Sequence, residues 1–430
     1  MNDARELPRL RRLLRRLLAV PENVAGYWAG KLAGWWKSSQ LAEDATPLAI
    51  GKDAVRALRQ AAVRYAGAGS AAHESPTASP EERALLESIR DETERFNRNN
   101  VTRTQAYWRV FERRPELHWA FLAHMVSRNG GWNMTDLKSE LLSRLVSPAR
   151  AEAIFAFLER ANALIFQDAY PQLRLYEASL ERKRELFRLL PAFGVSAFMR
   201  PVWEQFWRER NSALLTVALI VNEQHYIEGR VVQNETFRRT VLDTAAFQAQ
   251  SLMQLNAVVF PYADAQSPGS SRRLAGLVLE TFSDLRERIE FGKKLYAILF
   301  AMPGLAQSIR SFAAARPHTG SRADYWPHLF ATVRKSPPKP GYAEKLDGCK
   351  LRPGAEPIFS PELAHAWKDV PVRPPERYDW FRPDDTGLLF GAFGYLDTVR
   401  PPASFEMTNE YCFVMNKLEL AHMAGELLLE

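Results

Sequence analysis

"SPARAEAIFAFLERANALIFQ", residues 147–167, is the stretch that decides the fold class. A serine followed by a proline is typical of the start of a helix, and the apolar residues behind them recur every three to four positions. Further helical periodicity covers roughly residues 172–190, 196–208, 211–229, 235–256, 272–291 and 304–315. Strand signals are few and short, such as "AVVFPY" at 257–262. We therefore predict an all-α protein.

Outward from this helix, the texture of the chain predicts three segments. Residues 1–80 form a basic, amphipathic extension that ends in a small, polar linker, "GAGSAAHESPTAS". Ser79, Pro80 and Glu82 then match a capping box with proline at the first helical position, so a multi-helix globular domain is predicted over 81–335. Residues 336–430 are proline-rich, and we predict a mostly irregular tail that wraps over this domain and ends in a helix near 408–429.

The basic charge of the chain is concentrated at its start. The 430 residues carry a net charge of +7, but six arginines and two acids within residues 1–16 supply +4 of it. Binding to nucleic acid needs a clustered basic patch, and the remaining sequence shows none. We therefore do not expect a nucleic-acid partner.

The N-terminal segment "PRLRRLLRRLLAV" has two interpretations. Over residues 9–18 the leucines fall on one arc of a helix and the arginines on the other, and Trp28, Trp35 and Trp36 follow. This pattern is typical of a helix that lies on an anionic membrane surface with tryptophans at headgroup level. It is equally typical of a helix that caps the core of its own protein, which is the interpretation we favour.

The cysteines and the apolar runs indicate a cytoplasmic protein, which is membrane-peripheral if the N-terminal helix lies on a bilayer. Cys349 and Cys412 are too few for the disulfide framework of a small secreted domain, and they lie far apart in the sequence. Arginines interrupt the N-terminal apolar runs, so no signal peptide is predicted. No stretch of about 18 apolar residues predicts a membrane-spanning helix.

Four stretches carry a resemblance to a known family. They are "NNVTRTQAYWRVFERRPELHWAFLAHMVSRNGGWNMTDLK" (99–138), "LIFQDAYPQL" (164–173), "VNEQHYIEGRVVQN" (221–234) and "HTGSRADYWPHLF" (318–330). Together they resemble the YppC-like family of bacterial proteins, a domain of unknown function, over roughly residues 85–385. The resemblance implies a soluble bacterial protein, and it brings no activity or catalytic residue with it.

The stretch "RPHTGSRADYWPH", residues 316–328, is the first candidate site. A glycine between a threonine and a serine lets backbone N–H groups converge in a turn, and arginine and histidine add charge-assisted donors. This combination predicts a small anionic ligand, such as a phosphate or a carboxylate, and the ligand-binding residues would be His318, Thr319, Ser321, Arg322 and Tyr325. The alternative is an ordinary turn fastened by a buried arginine–aspartate pair.

Four side chains are candidates for acid or base chemistry. Glu223, His225 and Glu228 follow the apolar run "ALLTVALIV", where they form either the inward end of a buried helix or a helix that emerges into solvent. Asp168 precedes Pro171, at which we expect the preceding helix to end.

Metal ligation is not predicted. His118 and His124 are six residues apart and would diverge on a helix. Two Glu-x-x-His pairs begin at Glu362 and Glu419, but the first is explained as an acid in the first turn of a helix. No cofactor is assigned.

Two functions remain open. The first is a small-molecule binding protein or enzyme that grips an anion at residues 318–322 and uses the acids named above. The second is a non-catalytic interaction protein, membrane-peripheral through its basic helix, whose polar motifs lock helices together.

Overall fold

The computed structural model describes residues 20–67, 78–129, 133–244, 247, 254–264, 271–337, 342–382 and 385–428. Within them the fold is predominantly helical, as predicted. The helices are α1 (Val20–Leu41), α2 (Lys52–Gly67), α3 (Pro80–Phe96), α4 (Asn100–Arg113), α5 (His118–Arg128), α6 (Pro148–Glu181), α7 (Met199–Glu209), α8 (Ser212–Ile227), α9 (Glu235–Phe237), α10 (Leu285–Phe300), α11 (Pro303–Ala315), α12 (Leu363–Ala366), α13 (Thr386–Gly394) and α14 (Thr408–Leu428).

Short 3₁₀ turns, π turns and strands connect these helices. The 3₁₀ turns are Met134–Lys138, Phe187–Phe193 and Arg322–Asp324, and the π turns are Glu228–Val232 and Arg238–Leu242. The strands are β1 (Ala257–Tyr262), β2 (Arg273–Val278), β3 (Phe330–Ala331), β4 (Leu346–Asp347), β5 (Lys350–Leu351) and β6 (Ile358–Phe359). β1 pairs with β2 and β4 with β5 in antiparallel fashion, and β3 pairs with β6 in parallel.

The strand predicted at 257–262 is confirmed, but its partner corrects the helix that we predicted from residue 272. β2 pairs with β1 in a register that sets Ala257 opposite Val278 and Tyr262 opposite Arg273. At Gly276 a Cβ atom would lie 2.0 Å from the carbonyl oxygen of Val258. Only glycine lets the strands approach this closely, and the helix that follows begins at Leu285.

Helix α6 continues through the proline at which the sequence predicted its end. It begins at the predicted serine cap, where Ser147 accepts from the backbone N–H of Arg150, and it runs to Glu181. Pro171 lies inside it and supplies no backbone N–H. The side-chain amide of Gln172 donates to the carbonyl oxygen of Asp168 at 3.1 Å. The carbonyl that loses its helical donor is that of Gln167, so this bond does not replace the missing one, and we attribute the continuity of the helix to its burial among neighbouring helices.

Helix α8 lies at the centre of the fold. Residues 213–222 are all buried, which fits a helix that is apolar on every side. It packs against α5, α6, α7 and α10. At its C-terminal turn, Glu223 accepts from Trp119 on α5 and Gln224 accepts from Arg288 on α10, so this turn lies between helices.

The segments on both sides of the predicted domain contribute to the same core. The predicted capping box is confirmed, since Ser79 and Glu82 exchange side-chain and backbone hydrogen bonds. Ile50 from the N-terminal side and Leu346 and Met415 from the C-terminal side belong to the main hydrophobic cluster. The basic residues 9–18 and nearly all of the linker lie outside the described residues, and the three-segment division stays a prediction.

The two cysteines meet in space. Cys349, beside β5, and Cys412, on α14, form a disulfide with a Cα–Cα distance of 5.3 Å across 63 residues of chain. Nothing in the sequence indicates this pairing, because the two cysteines lie 63 residues apart.

Across the part of the chain that the structure describes, every helix is too short or too polar to cross a bilayer.

Candidate functional site

Arg322 holds a buried carboxylate of its own chain. Its Nε donates to Oδ1 of Asp136 at 2.7 Å, and Nη2 pairs with the other carboxylate oxygen. Nη1 donates to the Tyr325 hydroxyl at 2.6 Å. Both charged partners are almost completely buried. A bidentate arginine–carboxylate pair of this kind fixes two segments in one relative position.

The other residues of this turn are also occupied within the protein. The backbone N–H and the hydroxyl of Thr319 donate to the Asp324 carboxylate at 2.9 and 2.8 Å. The Ser321 hydroxyl donates to the carbonyl of Ser360 at 2.6 Å. His318 is buried and accepts from the N–H of Gly320, and burial lowers its pKa.

These contacts match the loop-fastening alternative for residues 316–328. An anion would have to displace Asp136 from Arg322 and Asp324 from Thr319. The structure brings the five predicted ligand-binding residues together. The donors of Thr319, Ser321 and Arg322 are directed at protein acceptors, whereas Nε2 of His318 is buried and has no hydrogen-bond partner among the described residues. Their assignment to a ligand stays a prediction.

A cavity of about 330 Å³ lies between α4, α5, α6, α8, α10 and β1. Its walls are mostly apolar side chains, including Leu122, Leu158, Ile165 and Leu295. A more polar hollow of about 410 Å³ shares Phe247, Asn256 and Phe282 with it. A concave apolar space with a few convergent polar groups is the usual form of a small-molecule site.

Glu223 is the acid on the wall of this cavity. Its carboxylate oxygens accept from Nε1 of Trp119 at 3.0 Å and from the side-chain amide of Gln224 at 3.2 Å. The side chain retains some accessible surface because it lines the cavity, yet burial away from bulk water raises its pKa to about 8. At neutral pH Glu223 therefore carries a proton, and its O–H is a hydrogen-bond donor.

Arg103 and Tyr107, one turn apart on α4, also line the cavity. Arg103 is buried and forms an ion pair with Glu159, but its Nε has no hydrogen-bond partner among the described residues. Burial raises the pKa of Tyr107, and the nearby charge of Glu223 acts in the same direction. This end of the cavity is therefore rich in donors.

Asp168 lies behind the cavity wall in a separate polar network. One carboxylate oxygen accepts from Gln172 at 2.9 Å and from Asn222 at 2.6 Å, while the other has no partner among the described residues. Trp203 donates to Gln172, and Trp380 donates to Asn222. Burial raises the pKa of Asp168 to about 7.

The structure separates His225 and Glu228 from Glu223. The His225 ring stacks on Trp380 at a centroid distance of 4.3 Å, and burial lowers its pKa to about 4. Glu228 pairs with Arg288, whose Nε donates to the side-chain oxygen of Gln224 at 2.9 Å. Of the four predicted acid and base residues, Glu223 alone lines the cavity, and Asp168 lies near enough to raise its pKa further.

Reasoning from the sequence missed Arg103, Tyr107, Trp119 and Arg288. Arg103 and Tyr107 lie one turn apart in "NVTRTQAYWRVFER", a signal that could have placed them together on one face. The sequence does not show whether such a face is exposed or buried. Its position on the cavity wall becomes clear only from the packing of α6 and α8.

Among the described residues, no group of three or more histidine, cysteine or acidic side chains is arranged to hold a metal ion. Glu362 and His365 are 3.9 Å apart with the histidine exposed. The buried Glu419 accepts from the hydroxyl of Tyr342 and from the backbone N–H groups of Lys345 and Leu346.

Comparison with known proteins places the geometry in a family context. A family model described as protein of unknown function (DUF2515) matches residues 95–387. The "Uncharacterized protein YppC" of Bacillus subtilis (strain 168) is 42% identical over 272 residues, which cover 62% of this chain and 82% of that protein. No solved structure matches the chain significantly.

Proposed function

The chain belongs to the family described as protein of unknown function (DUF2515), and from its geometry we propose that it binds an elongated apolar molecule with a terminal carboxylate. The ligand would occupy the cavity of about 330 Å³, with its head beside Arg103, Tyr107 and Glu223. The observation that carries this proposal is the coincidence of a mostly apolar cavity with a donor-rich end.

The elongated shape follows from the wall that α6 contributes. Arg150, Ile154, Leu158, Ala161 and Ile165 line the cavity at spacings of three or four residues, so they form one stripe along the helix. Fifteen residues of helix rise about 22 Å. The exposed Arg150 lies at one end of this stripe, and Ile165 lies three residues from Asp168, at the Glu223 end.

The head group follows from the donors at this end of the cavity, of which Nε of Arg103 has no hydrogen-bond partner among the described residues. The Nε–H of Arg103, the hydroxyl of Tyr107 and the protonated carboxyl of Glu223 are donors, and a carboxylate offers acceptors only. Burial of these groups strengthens each bond that such a head would form. An ammonium head would instead bring further donors and a second positive charge close to Arg103.

Binding of cis-parinaric acid, a fluorescent long-chain carboxylic acid, tests the proposal. We expect its fluorescence to rise on addition of the protein, and palmitate to displace it. Hexadecanol should compete less well than palmitate, and hexadecylamine least well. Absence of parinarate binding, or displacement by all three competitors with equal strength, would refute the proposed ligand class.

A pair of alanines on α6 supplies a matched variant and control. Ala161 lines the cavity, whereas Ala156 is exposed on the same helix. We expect Ala161→Phe to fill the cavity and to weaken parinarate binding at least about tenfold, and Ala156→Phe to leave it unchanged. Circular dichroism should show that both variants fold, so that a change in affinity reports on the cavity. Equal affinities in the two variants would place the ligand elsewhere.

The second candidate function is that of a non-catalytic interaction protein. The observation that favours it is the closed set of contacts around Arg322, in which polar groups fasten segments that are 186 residues apart. A ligand that binds the folded chain raises its melting temperature by mass action. If the protein is only an interaction protein, neither palmitate nor inorganic phosphate should raise the melting temperature. A melting-temperature shift with palmitate would exclude it.

A further inference from the structure

Helix α1 has one packed face and one bare face. On the packed face, the Ser38 hydroxyl accepts from the backbone N–H groups of Phe405 and Glu406 at 3.0 and 2.9 Å. Cβ atoms at Gly30 and Gly34 would lie 3.2 Å from Asn409 and 2.9 Å from Glu406. This close approach fixes the rotation of α1 on the start of α14.

The bare face carries large apolar side chains. Trp28, Leu32, Trp35 and Trp36 are 61%, 67%, 53% and 62% exposed. At about 100° per residue they fall within an arc of about 100°. We call these four residues the tryptophan stripe. Side chains of this size rarely stay in water as a contiguous patch unless the patch has a partner.

The charges around the tryptophan stripe select the partner. Helix α1 contains Lys31, Lys37 and one acid, Glu22. The two lysines pair with Glu410 and Asp264 of the same chain, so they add little attraction for a partner. The sixteen residues at the start of the chain, which lead into α1, contain six arginines and two acids. A protein partner could supply an apolar surface alone, but an anionic lipid surface also attracts these cations, at about 1 kcal/mol for each one near the bilayer.

We propose that the tryptophan stripe docks on an anionic phospholipid bilayer. The helix lies parallel to the surface with the indole rings at headgroup level, and the positive charge of the arginine-rich residues that precede it in the sequence adds attraction to the anionic lipid. The proposal is independent of the ligand cavity, because none of the four residues lines that cavity.

Vesicle co-sedimentation of the full chain tests this docking. We expect the protein to pellet with vesicles of equal parts phosphatidylcholine and phosphatidylglycerol, and to stay in the supernatant with phosphatidylcholine alone. The variant W28S/L32S/W35S/W36S should lose at least about tenfold in affinity. The control V333S/V370S removes two exposed apolar side chains far from α1 in sequence and should bind like the unchanged protein.

A second variant tests the charge. Replacement of four arginines in R11Q/R12Q/R15Q/R16Q should weaken binding to the anionic vesicles at least about tenfold, and added salt should weaken binding of the unchanged chain in the same way. Because the two variants act on different parts of the surface, each checks the other. Full binding by either variant would overturn the proposal.

Measurements of stability and self-association test two other partners for the tryptophan stripe, namely another part of the same chain and a second copy of the protein. The tryptophan stripe variant should keep the melting temperature of the unchanged chain, since its side chains are exposed. A fall of several degrees would mean that the stripe is covered by the protein itself. If ultracentrifugation shows self-association that the variant abolishes, with no vesicle binding by the unchanged chain, the occupant is a second copy. Either result would overturn the proposal.

Discussion

Glu223 and Asp168 are buried acids that change charge near neutral pH. Burial raises their pKa values to about 8 and about 7, respectively. An acid with a raised pKa holds its proton more tightly in the folded chain. Its contribution to stability is therefore complete below the unfolded pKa, about 4, and is lost as the pH rises toward the folded value. Both groups should make the protein less stable from weakly acidic to weakly alkaline pH.

Ligand binding should report the charge of Glu223. Ionised Glu223 would repel a carboxylate head, so we expect affinity for parinarate to fall about tenfold per pH unit above about pH 8. A titration of affinity against pH measures this. Charged and titratable neighbours of Glu223 include Arg103, Tyr107, Asp168 and Arg288.

Two substitutions test whether Glu223 or Asp168 causes the fall in parinarate affinity at high pH. Glu223→Gln keeps an N–H donor but cannot ionise, so its affinity should stay nearly constant through pH 8. Asp168→Asn should keep the decline but move its onset to lower pH, because removal of the Asp168 charge lowers the pKa of Glu223. A decline that persists in the Glu223 variant would contradict our assignment.

Removal of Arg322 should destabilise the fold. Arg322→Ala leaves the charge of Asp136 buried without its partner, which costs about 3–5 kcal/mol. Denaturant unfolding measures the loss. Arg316→Ala, an exposed arginine six residues earlier, should change stability by less than about 0.5 kcal/mol. Equal stability of the two variants would mean that the pair with Asp136 does not fasten the loop.

Single residues were predictable where local sequence reported burial. Glu223 and Asp168 were both named because they follow or interrupt apolar helical runs. The donors of residues 318–325 were recognised as a polar cluster, but the acceptors of Arg322 and Ser321, which are Asp136 and Ser360, come from distant parts of the chain. Nothing local distinguishes an arginine that awaits an anion from one that already holds a carboxylate.

At the scale of elements, the β1–β2 pair depends on one glycine. We expect Gly276→Ala to destabilise the protein by several kcal/mol, because its Cβ would lie 2.0 Å from a backbone oxygen that cannot move without breaking the pair. Thermal unfolding measures the effect. Gly304→Ala, at an exposed helical position with no atom within 4 Å of the added Cβ, should be neutral or slightly stabilising.

Element prediction succeeded where periodicity and caps agreed. The predicted helix at 211–229 corresponds to α8, which begins after the cap at Asn211 and ends at Ile227. It failed at 272–278, because "RLAGLV" adopts its strand only through pairing with β1. It also failed at Pro171, where a helix that is buried among its neighbours continues through the proline. In both cases tertiary packing decided the conformation.

For the whole molecule, the disulfide joins two regions that the sequence left apart. A crosslink that closes about 63 residues stabilises a chain by about 4 kcal/mol through the unfolded state. We expect reductant to lower the denaturant midpoint. The control is C349S/C412S, whose midpoint should be low and insensitive to reductant. A midpoint that reductant does not change in the unaltered chain would show that the bond contributes nothing to stability.

The sequence predicted the fold class, but it did not predict which helices pack against each other. Helical periodicity gave a predominantly helical fold, since each amphipathic face reports its own burial. The cavity and the tryptophan stripe could not be predicted as such, because both depend on which helix covers which face. Trp28, Trp35 and Trp36 were noticed in the sequence, but their shared exposure depends on the packing of α1 against α14.

The residues matched by the family model do not include all the elements that form the hydrophobic core. The family model ends at residue 387, before α14, yet that helix supplies Tyr411, whose ring lies 5.6 Å from the Arg322 guanidinium, and the cysteine that pairs with Cys349. A fragment of residues 95–387 would expose to solvent the core surface that Tyr411 and Met415 cover in the full chain. We expect it to be recovered as aggregate or to bind the dye ANS, and a monodisperse, dye-free fragment would show that α14 is dispensable.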